Sequence, residues 1–174
     1  AYQTAYLKTT FPFEFMTATL NYSIDRTDRI ILLKKELSRL NIEFKKPDIN
    51  FSSADFSIEE DNGIKSIRFG LAAIKGVGMK SMQSLVDERN KNGKYEDIID
   101  FMSRLKGEVI NKRQLEKLIQ AGCFDGIEKN RAKLFSNVPN FVEIYGGSKD
   151  NLNTLWFAKK IFITLFFFLV SQML

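Results

Sequence analysis

The run Leu71-Ala72-Ala73-Ile74-Lys75-Gly76-Val77-Gly78-Met79-Lys80 is the part of this sequence whose residue types and spacing point to chemistry. An apolar stretch predicts a helix, a Gly-apolar-Gly turn follows, and a second amphipathic helix opens at Met79. Glycine permits backbone angles closed to other residues, and it removes side chains that would hold an anion away from the chain. The free N–H groups at the start of the second helix carry a partial positive charge. Lys75 and Lys80 flank them, and Val77 is placed to point inward and tie the two helices together. This combination suits the binding of a nucleic-acid phosphate without base reading. The competing reading is a tight turn between packed helices, with Gly76 and Gly78 present only for chain geometry. A dinucleotide fingerprint is excluded, because Ser81 stands where its third glycine belongs.

A looser second copy lies at residues 115–125. Gly122 stands in the turn, Phe124 takes the inward apolar place, Lys112 and Arg113 open the preceding helix, and Asn130, Arg131 and Lys133 lie on the following one. Two such hairpins in tandem would grip two successive phosphate regions. The alternative is that the second unit only packs against the first.

Most catalytic chemistries are ruled out by composition. The 174 residues contain no histidine and one cysteine, Cys123. Histidine-based nucleophile activation, histidine metal sites, intrachain disulfides and cysteine zinc clusters are all absent for that reason. Asp97 and Asp100 share a helix face but read as ordinary charged surface. No catalytic residue and no metal ligand is assigned. The net charge of +5 suits a polyanionic partner, although many inert proteins share such a balance.

Several elements are needed to position the turns. Helices are expected over 1–7 and 13–20, interrupted at Phe11-Pro12 because proline disfavours helix in the preceding residue. Ile30, Leu33, Leu37 and Leu40 recur at helical steps and predict an amphipathic helix over 27–40. Residues 47–50 read as a turn. Asn62-Gly63 favours a tight hairpin turn between two short strands at 55–59 and 64–69. Helices are expected from 71 onward: 79–89, 95–105, 111–120 and 128–135. Asp125 followed by Glu128 resembles a capping box. Residues 161–170 hold nine apolar residues and one threonine, too short a run to span a bilayer, and the segment is expected not to belong to the fold.

The residues then resemble a family. Tyr2-Gln3-Thr4-Ala5-Tyr6-Leu7-Lys8 with Phe15-Met16, the Pro47-Asp48-Ile49-Asn50 turn, Ile67-Arg68-Phe69-Gly70 running into the glycine turn, and Asn111-Lys112-Arg113 through Asp125 occur in the order found in the bacterial replicative DNA polymerase III alpha subunit. The resemblance implies a mainly α fold, a helical bundle with tandem helix-hairpin-helix and one short β-hairpin. It implies three parts: 1–45 as the end of a fingers-like helical region, 46–140 as a helix-hairpin-helix DNA-binding module, and 141–174 as a tail outside the family.

The partner it implies is duplex DNA behind the active site, together with other replicase subunits, in the cytoplasm. The DNA-binding residues would be Lys75, Gly76, Val77, Gly78, Lys80, Lys112, Arg113, Gly122, Asn130 and Arg131. The family's catalytic aspartates hold magnesium in a palm domain to which nothing here corresponds, so no cofactor and no primer extension are expected of this chain alone. The clamp-binding peptide is not found, residues 153–157 being a faint echo of it. The chain reads as cut from something longer, with a frame change near residue 150 explaining the apolar tail. Two other readings remain: a free-standing helix-hairpin-helix protein of repair or recombination, and a small membrane-associated protein using the apolar C-terminus.

Overall fold

The computed structural model describes residues 2–145. Helix α1 (Tyr2–Thr10) gives way to α2 (Pro12–Tyr22), whose first residue is Pro12. Proline suits that position, since its missing N–H would have no intrahelical partner there. Helix α3 (Thr27–Arg39) follows and buries Ile30 and Leu37, as the periodicity predicts. Strands β2 (Ser57–Asp61) and β3 (Ile64–Arg68) form the expected hairpin. Its two turn residues, Asn62 and Gly63, have φ of 51° and 78°, the left-handed pair that matches the twist of the flanking strands.

The sheet has one strand more than expected. Strand β1 (Glu43–Lys45) pairs in parallel with β3, with Phe44 opposite Ile67, and the order is β1-β3-β2. Three residues are too few to show an alternating pattern, so only pairing with β3 makes them a strand. Helices α2 and α3 cover the sheet around a first core built on Met16, Leu20, Leu37, Ile42, Phe56 and Ile67.

The second half is helical: α4 (Met79–Asn92), α5 (Ile98–Val109), α6 (Lys112–Ala121) and α7 (Arg131–Tyr145). These surround a second core in which Tyr95, Phe101 and Phe124 pack edge to face, each neighbouring pair of rings 5.0 Å apart. Phe69 touches both cores. The expected mainly α fold with a short β-hairpin is the one observed.

Several helix boundaries differ from expectation, most of all the end of α7, which runs to Tyr145 rather than to about 135. It packs Phe141, Val142 and Tyr145 against the second core, so residues 141–145 belong to the fold and not to the tail. The helix from Leu71 is a single 3-10 turn, Leu71–Ala73, which ends where Ile74 turns extended (ψ 121°), two residues before Gly76 at φ 95°. Helix α5 begins at Ile98 rather than 95, since Asp97 accepts a hydrogen bond from the Asp100 N–H (2.7 Å) and caps it. The Tyr95 ring instead enters the core, and its hydroxyl donates to the Leu85 carbonyl. Helix α7 begins at Arg131, capped by Asn130, whose side-chain oxygen accepts from the Lys133 N–H (2.9 Å). Asp125 and Glu128 form no capping box, because the Asp125 carboxylate is taken by Arg131.

A capping box does exist at α6. The Asn111 side chain accepts from the Gln114 N–H (3.0 Å), and the Gln114 side chain accepts from the Asn111 N–H (3.1 Å). Asn111→Ala removes one half of this pair and should cost about 1 kcal/mol, read as a lower chemical-unfolding midpoint at unchanged m-value.

The apolar run at 161–170, the echo at 153–157 and the supposed frame change lie outside the described residues. Among the described residues no helix is long and apolar enough to cross a membrane.

Candidate nucleic-acid interface

The first hairpin turn sits where the 3-10 turn ends. Ile74 is extended, Gly76 adopts φ 95°, and the Val77 N–H donates back to the Ile74 carbonyl (3.2 Å). Val77 is half-buried against the second core, as expected. Gly78 caps α4 with its backbone extended (φ −94°, ψ 143°), and no side chain caps the helix. The N–H groups of the first turn of α4 therefore have no side-chain acceptor. Only Gly76 needs a glycine's backbone freedom. Gly78 has an ordinary conformation, and a Cβ there would stand 3.8 Å from the Gln114 amide nitrogen. The expectation that both glycines serve special angles is corrected to one.

Lys75 and Gly76 form one wall of a groove of about 520 Å³, together with Ile74. The opposite wall is α6, with Arg113, Lys117, Gln120 and Ala121. Lys75, Gly76 and Arg113 are thus brought together as the two-hairpin reading requires. Lys117 joins them and was not among the expected residues. It was findable, because it lies four residues after Arg113 and so shares its helix face. Its ammonium donates to the Gln120 side-chain oxygen (3.0 Å), and its Cγ stands 3.6 Å from where a Cβ on Gly76 would be. Lys80 and Lys112 are exposed on the first turns of α4 and α6, outside this groove.

The other flank of the turn faces a groove of about 500 Å³ of opposite character. There Ile24, Asp25, Thr27 and Asp28 oppose the segment from Ala72 to Val77. The hairpin therefore separates an acidic groove from a basic one.

In the second hairpin, Gly122 adopts φ 82° and ends α6 in the left-handed conformation. A Cβ there would overlap the Arg131 guanidinium, which lies directly over the turn. Arg131 is held there by two hydrogen bonds to Asp125, the Nε bond being 2.6 Å. That partner keeps the Asp125 carboxyl below its usual range. Gly122, Asn130 and Arg131 thus shape and cap the second hairpin, and they do not line the basic groove. Phe124 is buried as expected. Beside it, burial pushes the Cys123 thiol up to about 12, which makes it a poor nucleophile. Among the described residues no group of acidic or cysteine side chains is arranged to hold a metal ion.

A family model described as a helix-hairpin-helix motif matches residues 41–134. The chain is also similar to the DNA polymerase III subunit alpha of Borreliella burgdorferi, 40% identical over 151 residues. The corresponding proteins of Caulobacter vibrioides and of Neisseria meningitidis serogroup A are 38% and 41% identical over 137 and 138 residues. These alignments cover 87%, 79% and 79% of this chain but only 13%, 12% and 12% of the respective relatives. The resemblance drawn from the motifs is borne out over that stretch, and the chain belongs to the helix-hairpin-helix family, in a segment shared with bacterial DNA polymerase III alpha subunits.

Proposed function

We propose that this chain supplies non-sequence-specific duplex DNA binding to a replicative DNA polymerase, through contacts to backbone phosphates and without the catalytic palm. The observation that carries this reading is the Lys75–Gly78 turn. It presents the uncapped N-terminus of α4 beside Lys75 and Lys80, with no side chain on Gly76 or Gly78 to keep a phosphate away. Backbone N–H groups and lysines of this kind position a duplex without reading its bases. Lys112 and Arg113 extend the basic surface, while Gly122, Asn130 and Arg131 hold the second hairpin in shape. Residues 46–140 form the binding module in this reading, and residues 1–45 and the sheet support it. Work beside other replicase subunits in the cytoplasm belongs to the same proposal.

The piece that carries binding must be longer than the hairpins alone. The Leu71 and Ala72 N–H groups donate to the carbonyls of Ser53 and Ala54, and the Arg89 guanidinium donates to those of Ile49 and Ser52. A fragment starting at residue 60 loses these partners and the buried Ile49 and Ala54 as well.

The double variant Lys75→Ala/Lys80→Ala tests the reading, since both side chains are exposed and neither supports the core. Duplex affinity measured across a salt series should fall for every sequence alike. The plot of log affinity against log salt should flatten by about two units, roughly one for each phosphate that is no longer neutralised. Binding equal to that of the parent at every salt concentration would leave the first hairpin a structural turn.

A further inference from the structure

Two grooves flank the hairpin turn, and their charges differ. On the α6 side the charged residues of the lining are Lys75, Arg113 and Lys117, with Gln120 hydrogen-bonded to Lys117 and no carboxylate in the lining. On the α3 side, Asp25 and Asp28 face Lys75 alone. A phosphodiester approaching the turn is attracted to the first groove and repelled from the second, and the low-dielectric walls sharpen that contrast.

We infer that the DNA backbone crosses the hairpin on its α6 side, and that the two hairpins build a single phosphate clamp there: Lys75 and the Gly76 backbone hold one flank of the phosphodiester, and Arg113 and Lys117 hold the other. This rests on the proposed duplex binding and narrows it to one side of one turn. Tandem hairpins would otherwise grip two successive phosphates independently. Here the second hairpin instead contributes the helix that leads into it. Its own turn is covered by Arg131, which is committed to Asp125. Gly76 is open toward this side, where a Cβ would meet nothing nearer than the Lys117 chain at 3.6 Å. Lys117 is half-buried and its ammonium is already oriented by Gln120, so little side-chain freedom is lost when a phosphate binds.

The full chain, with a fluorescent duplex and anisotropy across a salt series, tests this. The variants are Lys75→Ala, Arg113→Ala/Lys117→Ala, their triple combination, and Lys34→Ala/Lys35→Ala on the exposed face of α3, which removes the same charge as the α6 pair. Arg113→Gln/Lys117→Gln keeps the hydrogen-bonding length of the groove, and the unfolding midpoint of each variant shows that it is folded. The α6 pair should weaken binding and flatten the salt slope by at most about one unit, because the clamp holds one phosphate, while the α3 pair leaves both close to those of the parent. The triple variant should lose less affinity than the product of the separate losses, because both sets act on one phosphate.

If the parent binds and Lys75→Ala/Lys80→Ala weakens it, while the α6 pair behaves like the α3 pair, the clamp is wrong and the broader reading stands. Strictly multiplicative losses would also overturn the clamp, since they mean two independent sites. A gain of about tenfold from Asp25→Asn/Asp28→Asn would place the phosphate in the acidic groove instead. A parent chain with no salt-dependent affinity for duplex removes the broader reading itself.

Discussion

Gly70→Ala is expected to destabilise the fold strongly. Gly70 lies where β3 hands over to the 3-10 turn, with φ −75° and ψ 136°, angles open to any residue. Its need for glycine comes from space. A Cβ at this position would overlap the Asp55 carbonyl carbon, and would stand 2.6 Å from the Phe56 nitrogen and 2.8 Å from the Asp55 oxygen. All three are backbone atoms, so no rotamer change relieves them. The neighbouring hydrogen bonds from Leu71 to Ser53 (3.0 Å) and from Ala72 to Ala54 (2.9 Å) fix the two segments at this distance. Separating them would open both cores, because Phe56 belongs to one and Ala54 to the other. The cost should reach or exceed about 3 kcal/mol, the upper end for overpacking, against a total stability on the order of 5–15 kcal/mol. Cys123 reports the outcome. It is fully buried and its thiol is pushed up to about 12, so the folded parent should be unreactive toward a thiol reagent near neutral pH. The variant should react faster than the parent and lose helical circular dichroism at a lower denaturant concentration. Gly63→Ala is the control, since a Cβ there meets nothing within 4 Å and only its φ of 78° is strained, at roughly 1–2 kcal/mol. Equal stability of the two variants would mean that the approach of residues 55 and 70 is not close.

Phe101→Ala should cost about 3–5 kcal/mol. The Phe101 ring is fully buried and stands edge to face between Tyr95 and Phe124, with 5.0 Å between ring centres on either side. It links the loop before α5 to the turn after α6, the turn that fixes the end of the basic groove. Truncation removes both aromatic neighbours' packing and leaves a cavity that the surrounding helices cannot fill. Urea unfolding followed by circular dichroism should show a midpoint well below that of the parent. Phe101→Leu should recover most of the loss, because it restores much of the volume. If alanine and leucine are equally tolerated, the ring is not a central strut of the second core. Duplex binding by the alanine variant should fall with the folded fraction and recover at low temperature or low denaturant, which separates a packing role from a direct contact.

The elements that rest on near neighbours in the chain were legible without coordinates. Pro12 starts α2, Asn62-Gly63 closes the β-hairpin, the Ile30 and Leu37 stripe faces inward, and Gly76 and Gly122 turn the chain at positive φ. Each is a local steric or periodic preference, decided within a few residues. What needed the tertiary structure is every feature shared by distant segments. The Glu43–Lys45 strand exists because β3 offers it an edge. Gly70 is required because residues 55 and 56 pass beside it. Arg131 looked available for a phosphate, but folding places Asp125 against it, and a charge with a partner at hydrogen-bonding distance is already committed. Lys117 shares a helix face with Arg113 by spacing alone, but only packing set α6 across from Gly76 and put both in the groove with Lys75. The sequence by itself determined the family, the turns and the cations, because these depend on residue type and local spacing. Which cations face a common groove was decided only by packing, because convergence of side chains depends on how the two cores set the helices against one another.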